Sequence, residues 1–270
     1  MTEKPEKLPI FQILGIRVHS LKLQKAVSLV ENWVKTNKQY QIVTPNPEQV
    51  VLAQKNKRFR QVLNQADLAI PDGIGLIWAN KILSSVRMGS KQKEESKGQT
   101  QDLIKLRRLS GVDLMIALCQ LAAKKGWRVF LLGGGPGMAA QAIDSINITR
   151  TKLKIASFEG AKNINQETKK EKEKARKLIN KFKPDLLFVA YGAPYQELWI
   201  AENLPYLKTK VAMGVGGTFD YLAGKVARAP KIVRQTGFEW LYRLIQQPWR
   251  WKRQLRLIEF CWLVLKEIRR

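Results

Sequence analysis

The chain has 270 residues, 45% of them hydrophobic, and 48 Lys and Arg against 22 Asp and Glu give it a formal net charge of +26. That length fits one large α/β domain, alone or with a small appendage, and the cationic excess implies a polyanionic partner: nucleic acid, an anionic membrane surface or a phosphorylated substrate. Two cysteines, Cys119 and Cys261, exclude a disulfide scaffold and point to a reducing cytoplasm. The acidic start "MTEKPEKLPIF" argues against a secretory signal, and no apolar run approaches the ~20 residues that cross a bilayer, so a soluble chain is expected.

In chain order, short apolar runs rich in β-branched residues alternate with helical periods. The predicted strands are "FQILGIRV", "YQIVT", "LAIP", "RVFLLGG", "LKIASF", "DLLFVAYG" and "KVAMGVG". Helices are predicted near 22–36, 47–64, 74–83, 111–125, 137–148, 166–182 and 197–203. Such alternation specifies an α/β fold with a mostly parallel sheet and helices on both faces, in which ligands bind at the carboxyl ends of the strands. Two regions interrupt it. Residues 84–108 are polar and charged, and read as an exposed insertion. From about 228 the chain turns into Arg- and Trp-rich helix, dividing it into a catalytic unit over 1–227 and an appendage over 228–270.

The strand ends carry the candidate chemistry. In "IVTPNPEQV", Asn46 before Pro47 is an N-cap with proline at N1, and Gln49 has capping-box spacing. Asn46 either only caps its helix or, with Thr44, points into the crevice, where the helix N-terminus could also receive a phosphate. In "DLAIPDGIG", Asp72 stands where a strand passes into an apolar helix. It is either a solvated turn residue or a carboxylate whose proton affinity is raised by apolar neighbours, as suits a general base. The single histidine, His19, is far away in sequence, so a carboxylate is the expected base.

In "LLGGGPGMAAQAI", Gly134, Gly135 and Gly137 lie between strand and helix, where bare backbone can approach a phosphate or form a tight turn. The spacing fits neither the dinucleotide fingerprint nor a Walker A loop. "VAYGAPYQELWI" and "GVGGTFDYLAGK" bring Tyr191, Gln196, Gly216, Gly217, Thr218 and Asp220 to the same edge. Gln196 and Asp220 either read a nucleotide or satisfy loop backbone. No Asp-x-Asp pair and no Cys/His cluster occurs, so neither metal nor cofactor is expected, and a diphosphate would be neutralised by arginines and helix termini.

The tail splits at Pro248 into two helices. In the second, Trp251, Leu255, Ile258, Trp262 and Leu265 share one face, with Arg250, Lys252, Arg253 and Arg256 around its start. That pattern suits an anionic membrane interface, or a helix packed on the core or on another protomer. None of the nucleic-acid-binding motifs occurs, and nucleic acid is not expected as a partner.

Taken together, "TPNPE", "PDGIG", "RLSGVDL", "LLGGGPG", "GAPYQE", "GVGGTFD", "AGKVARAP" and "GFEWLYRL…QPWRWKR", in that order, resemble the WecG/TagA/CpsF glycosyltransferases over roughly 10–260. The resemblance implies a bacterial inverting enzyme with a Rossmann-like domain and a C-terminal appendage. It would take a UDP-sugar donor and a lipid-diphosphate-linked sugar acceptor, peripherally, at the cytoplasmic face of the membrane. By position, Asp72 corresponds to the family's base, Thr44 and Asn46 to residues that orient sugar or phosphate beside it, and Gln196 to the site glutamine. Arg108 matches a site arginine, and Arg243, Arg250 and Arg253 match appendage arginines that hold lipid diphosphate. The sequence departs from the family in the longer stretch before "RLSG" and in Tyr195, where Lys is frequent. The sugar, the acceptor and the oligomeric state, a homo-oligomer included, stay open. The rival enzyme is an NAD(P)-dependent nucleotide-sugar oxidoreductase, supported by the glycine turn, by Glu159, and by Tyr221 and Lys225 at Y-x-x-x-K spacing.

Overall fold

The computed structural model describes residues 8–89, 105–147, 153–161 and 163–269. The first apolar run is not one strand but an antiparallel hairpin, β1 (Ile10–Ile13) and β2 (Ile16–His19). Leu14 and Gly15, both at positive φ, turn the chain between them. After α1 (Leu23–Val34) come β3 (Tyr40–Val43), α2 (Pro47–Lys55), α3 (Lys57–Gln65) and the two-residue β4 (Leu68–Ala69). The single helix expected over 47–64 is thus two, because Asn56 leaves helical geometry and its side chain caps α3 through the amide of Phe59.

The second half runs α4 (Ile74–Gly89), α5 (Gly111–Lys125), β5 (Arg128–Gly133), α6 (Met138–Asn147), β6 (Lys154–Phe158), α7 (Lys169–Phe182), β7 (Leu186–Ala190), α8 (Tyr195–Asn203) and β8 (Val211–Gly214). Helix α4 overruns the expected insertion: residues 84–89 are helical, 90–104 lie outside the described residues, and 105–110 run without regular structure into α5.

Strands β3 to β8 form one parallel sheet in the order β4-β3-β8-β7-β5-β6. Successive residues of a strand face opposite layers. Val129 and Leu131 pack with α1, α5 and α6, while Phe130 and Leu132 pack with α7 and α8. Burial on both faces explains why β7 reads "LLFVA", five buried apolar residues in a row. A third cluster joins Val43 and Ala69 at the sheet edge to the hairpin, α2, α3 and α4.

The C-terminal region comprises α9 (Thr218–Leu222), α10 (Lys231–Thr236), α11 (Glu239–Gln246) and α12 (Trp251–Ile268). Helix α12 lies on α2 and α4, and its Phe260 and Val264 are buried in the third cluster beside Leu76 and Leu83. The opposite face is bare: Trp251, Leu255, Ile258, Trp262 and Leu265 are each more than half exposed. No helix among the described residues is long and apolar enough to cross a membrane.

Candidate active site

Asp72 owes its position to backbone hydrogen bonding between two strand ends. Beyond β3 and β4 the ladder continues, with the amide of Ile70 donating to Val43 O at 3.0 Å and that of Asp72 to Pro45 O at 2.8 Å. Asp72 therefore stands beside the Thr44–Asn46 segment. The amide of Leu109 donates to Pro71 O, which brings in the first turn of α5, where the amide of Gly111 donates to Asp72 Oδ2 at 3.4 Å. A side chain at position 111 would begin 3.1 Å from Thr44 Cγ2, so glycine is what lets this helix start so close to the site.

Asn46 caps α2, its Oδ1 accepting from the amide of Gln49 at 2.9 Å. The expected capping box is only half made, because Gln49 Nε2 donates instead to Glu197 Oε1 at 3.3 Å.

Burial raises the Asp72 carboxyl to about 6, a shift opposed by Arg108 and supported by Glu239 and Asp113. Arg108 reaches Glu239 Oε2 at 2.7 Å and the carbonyl of Arg234, so α10 and α11 are tied to the segment beside Asp72, and α11 lines the cavity with Glu239, Trp240 and Arg243. Arg228 adds a bond to Asp113 at 2.7 Å.

Thr44, Asn46, Gln49, Asp72, Arg108, Gly111 and Glu239 line one cavity of about 640 Å³, a size typical of small-ligand sites. The loops that follow β5, β7 and β8, with the start of α8, line the same cavity, contributing Gly134, Tyr191, Gln196, Gly216, Gly217, Thr218 and Asp220. Gly134 sits at φ +86°, and a Cβ there would meet the Phe219 ring at 2.7 Å. Gly135 and Gly137 are not brought to the cavity. Glu159 Oε1 accepts the Gly137 amide at 2.7 Å, occupying a donor that was expected to face a phosphate. Gln196 lies in the first turn of α8 and not on a loop, and is almost fully buried. Its Oε1 accepts from the amides of Gly192 and Gly216 at 3.0 and 2.9 Å.

The C-terminal helices bring Arg243, Arg250 and Arg253 to the cavity. Arg243 rests against Gly217, contacts Asp220 at 3.4 Å and covers the Tyr221 ring. Arg253 pairs with Glu48 at 2.9 Å. Arg250 makes no ion pair among the described residues. Burial, with Arg243 and Arg253 alongside, lowers its guanidinium to about 10. Such a group is stabilised when an anion enters. Ile74, Trp78, Trp240, Leu257 and Phe260 give the same cavity an apolar side.

A family model described as the glycosyl transferase WecG/TagA/CpsF family matches residues 11–270. The chain belongs to that family. It is a glycosyltransferase, and the oxidoreductase alternative falls: Tyr221 carries an arginine on its ring and Lys225 is exposed outside the cavity. The WecG/TagA/CpsF member described here is 32% identical over 241 residues to an N-acetylglucosaminyldiphosphoundecaprenol N-acetyl-beta-D-mannosaminyltransferase of Bacillus spizizenii, covering 89% of this chain and 84% of that one. A protein of the same name from Bacillus subtilis is 32% identical over 226 residues, covering 84% and 79%.

Sequence reasoning missed Glu239, Glu197 and the apolar wall. Glu239 had a signal, being one of only three acids in a tail with eleven Lys and Arg. Glu197 had none beyond its place next to Gln196.

Proposed function

We propose that this glycosyltransferase moves a hexose or N-acetylhexosamine-type sugar from a UDP-sugar to a sugar carried on a polyprenyl diphosphate, with Asp72 as base. The observation that carries the reading is one cavity lined by both a buried carboxyl raised to about 6, Asp72, and an arginine without an ion pair among the described residues, Arg250. The printed names of the two relatives supply the acceptor class, N-acetylglucosamine on undecaprenyl diphosphate, and make N-acetylmannosamine the first sugar to test.

In the proposed reaction the acceptor hydroxyl attacks the anomeric carbon. Its proton passes to Asp72, the new C–O bond forms on one face, and the bond to the UDP oxygen breaks on the other, inverting the centre. Charge gathers on the departing diphosphate. The backbone at Gly134, Gly216 and Gly217, with Thr218 and Asp220, forms the donor side; Arg243, Arg250 and Arg253 hold the lipid diphosphate. Thr44 and Asn46 orient the acceptor beside Asp72, Arg108 offsets charge near it, and Tyr191 and Gln196 shape the donor loops. Fixed donors of this kind stabilise developing charge without reorganising.

The bare face of α12 and the cationic excess support docking on an anionic bilayer, at the cytoplasmic leaflet if UDP-sugar is the donor. Incubating the protein with a panel of UDP-sugars and undecaprenyl-diphosphate-linked N-acetylglucosamine tests the reading. Acceptor-dependent UDP release with at least one donor is expected. No release with any donor, or the same release without acceptor, would overturn it.

A further inference from the structure

The acid next to Gln196 takes no part in the chemistry above. Glu197, the third residue of α8, is fully buried and makes no ion pair among the described residues. Its Oε1 accepts two side-chain amides, Gln196 Nε2 at 2.8 Å and Gln49 Nε2 at 3.3 Å. Its main-chain oxygen accepts Gln41 Nε2 at 3.0 Å, and Oε2 is buried without a partner. A carboxyl in such a place is costly, and simple space-filling would be served better by a hydrocarbon.

What these partners hold explains the cost. Gln41 lies in β3, three residues before Thr44; Gln49 lies in the first turn of the helix that Asn46 caps. Gln196 fixes the amides of Gly192 and Gly216, on the loops after β7 and β8. A Cβ on Gly214 would come 2.7 Å from Gln196 Nε2, so the amide lies flat on β8. With both Oε1 bonds and one N–H committed inside the protein, Gln196 has little left for a ligand. All four segments lead to the cavity.

We infer that Glu197 is a positioning residue: by orienting Gln196 and Gln49 it sets the spacing between the two glycine loops and the Thr44–Asn46 segment, without touching substrate. That these loops take the donor rests on the functional reading above; the anchoring itself does not.

Hydrogen exchange of the full-length protein, with peptides over 191–193 and 214–218, reads the anchoring directly. Glu197→Ala is expected to speed exchange of both loops about tenfold, the equivalent of one hydrogen bond, leaving peptides of β5 unchanged. It should also raise the KM for UDP-sugar more than it lowers kcat. Glu197→Gln, which keeps the accepting oxygen, should stay within about threefold of wild type in both readouts. Unchanged loop exchange in Glu197→Ala, or acceleration spread equally over β5, would overturn the inference. If Glu197→Ala does not accumulate, Glu197→Asp, one methylene shorter, must show the same local acceleration or the inference fails. Absence of UDP-sugar turnover in wild type would sink the functional reading while leaving the exchange result to decide this one.

Discussion

Arg108, on the segment leading into α5, and Glu239, at the start of α11, meet at 2.7 Å with side chains only about a fifth exposed. The pair ties α11 to the segment that hydrogen-bonds the strand end bearing Asp72. It also sets two opposing charges on that carboxyl, Arg108 holding its proton affinity down and Glu239 raising it.

Asp72→Asn is expected to reduce turnover by about 10²–10⁴-fold, the usual contribution of a general base, with UDP affinity little changed by calorimetry. As the proposed base Asp72 would act ionised, and burial lifts its carboxyl to about 6. Wild-type kcat/KM should therefore fall as pH drops through about 6, and a limb near the ordinary value of 3.8 would contradict the environment described.

Glu239→Gln removes a charge that raises Asp72 and frees Arg108, which lowers it. Both changes act in one direction. The acid limb of the pH–rate profile should move below its wild-type position, and a move to higher pH would show that the pair acts otherwise.

Arg250→Ala should raise the acceptor KM about tenfold or more, consistent with the loss of a charge-assisted contact, and leave the donor KM within about twofold. Initial rates at varied acceptor and varied donor separate the two.

Trp262→Ala with Leu265→Ala strips the bare face of α12 without touching Phe260 or Val264. At ~25 cal/mol per Å² of apolar area, affinity for anionic vesicles should drop by at least about tenfold in sedimentation. Melting temperature and turnover of a short-chain acceptor should hold. Higher salt should weaken wild-type binding further.

Glu197 carries a pH signature of its own. Burial raises its carboxyl from 4.5 to about 7, so the folded state holds the proton more tightly than the unfolded one. Stability is fully present below the unfolded value and is lost as pH rises toward about 7. Glu197→Gln should be the more stable protein at pH 8, by on the order of 2 kcal/mol, with the gap closing near pH 5. Thermal melts at the two pH values check this.

The alternating fold was legible because each strand is short, apolar and bounded by turn residues, so "RVFLLGG" and "DLLFVAYG" fall within a residue or two of β5 and β7. Boundaries failed where local chemistry outranked pattern: Asn56 capping a second helix, Leu14 and Gly15 folding a hairpin. Strand-end residues such as Asp72 and Asn46 were legible since the sheet must deliver them to one edge. The fate of Gly137 was not, because its partner Glu159 is 22 residues away and local spacing cannot reveal it. Nor could periodicity assign Glu239, whose meaning comes from an arginine 131 positions earlier.

Helix α12 presents Phe260 and Val264 to the protein interior and Trp262 and Leu265 to the outside, all within one unbroken rod. Any surface that grips the outer side is thereby joined through a single helix to α2 and α4, the two helices that begin just after Asn46 and Asp72.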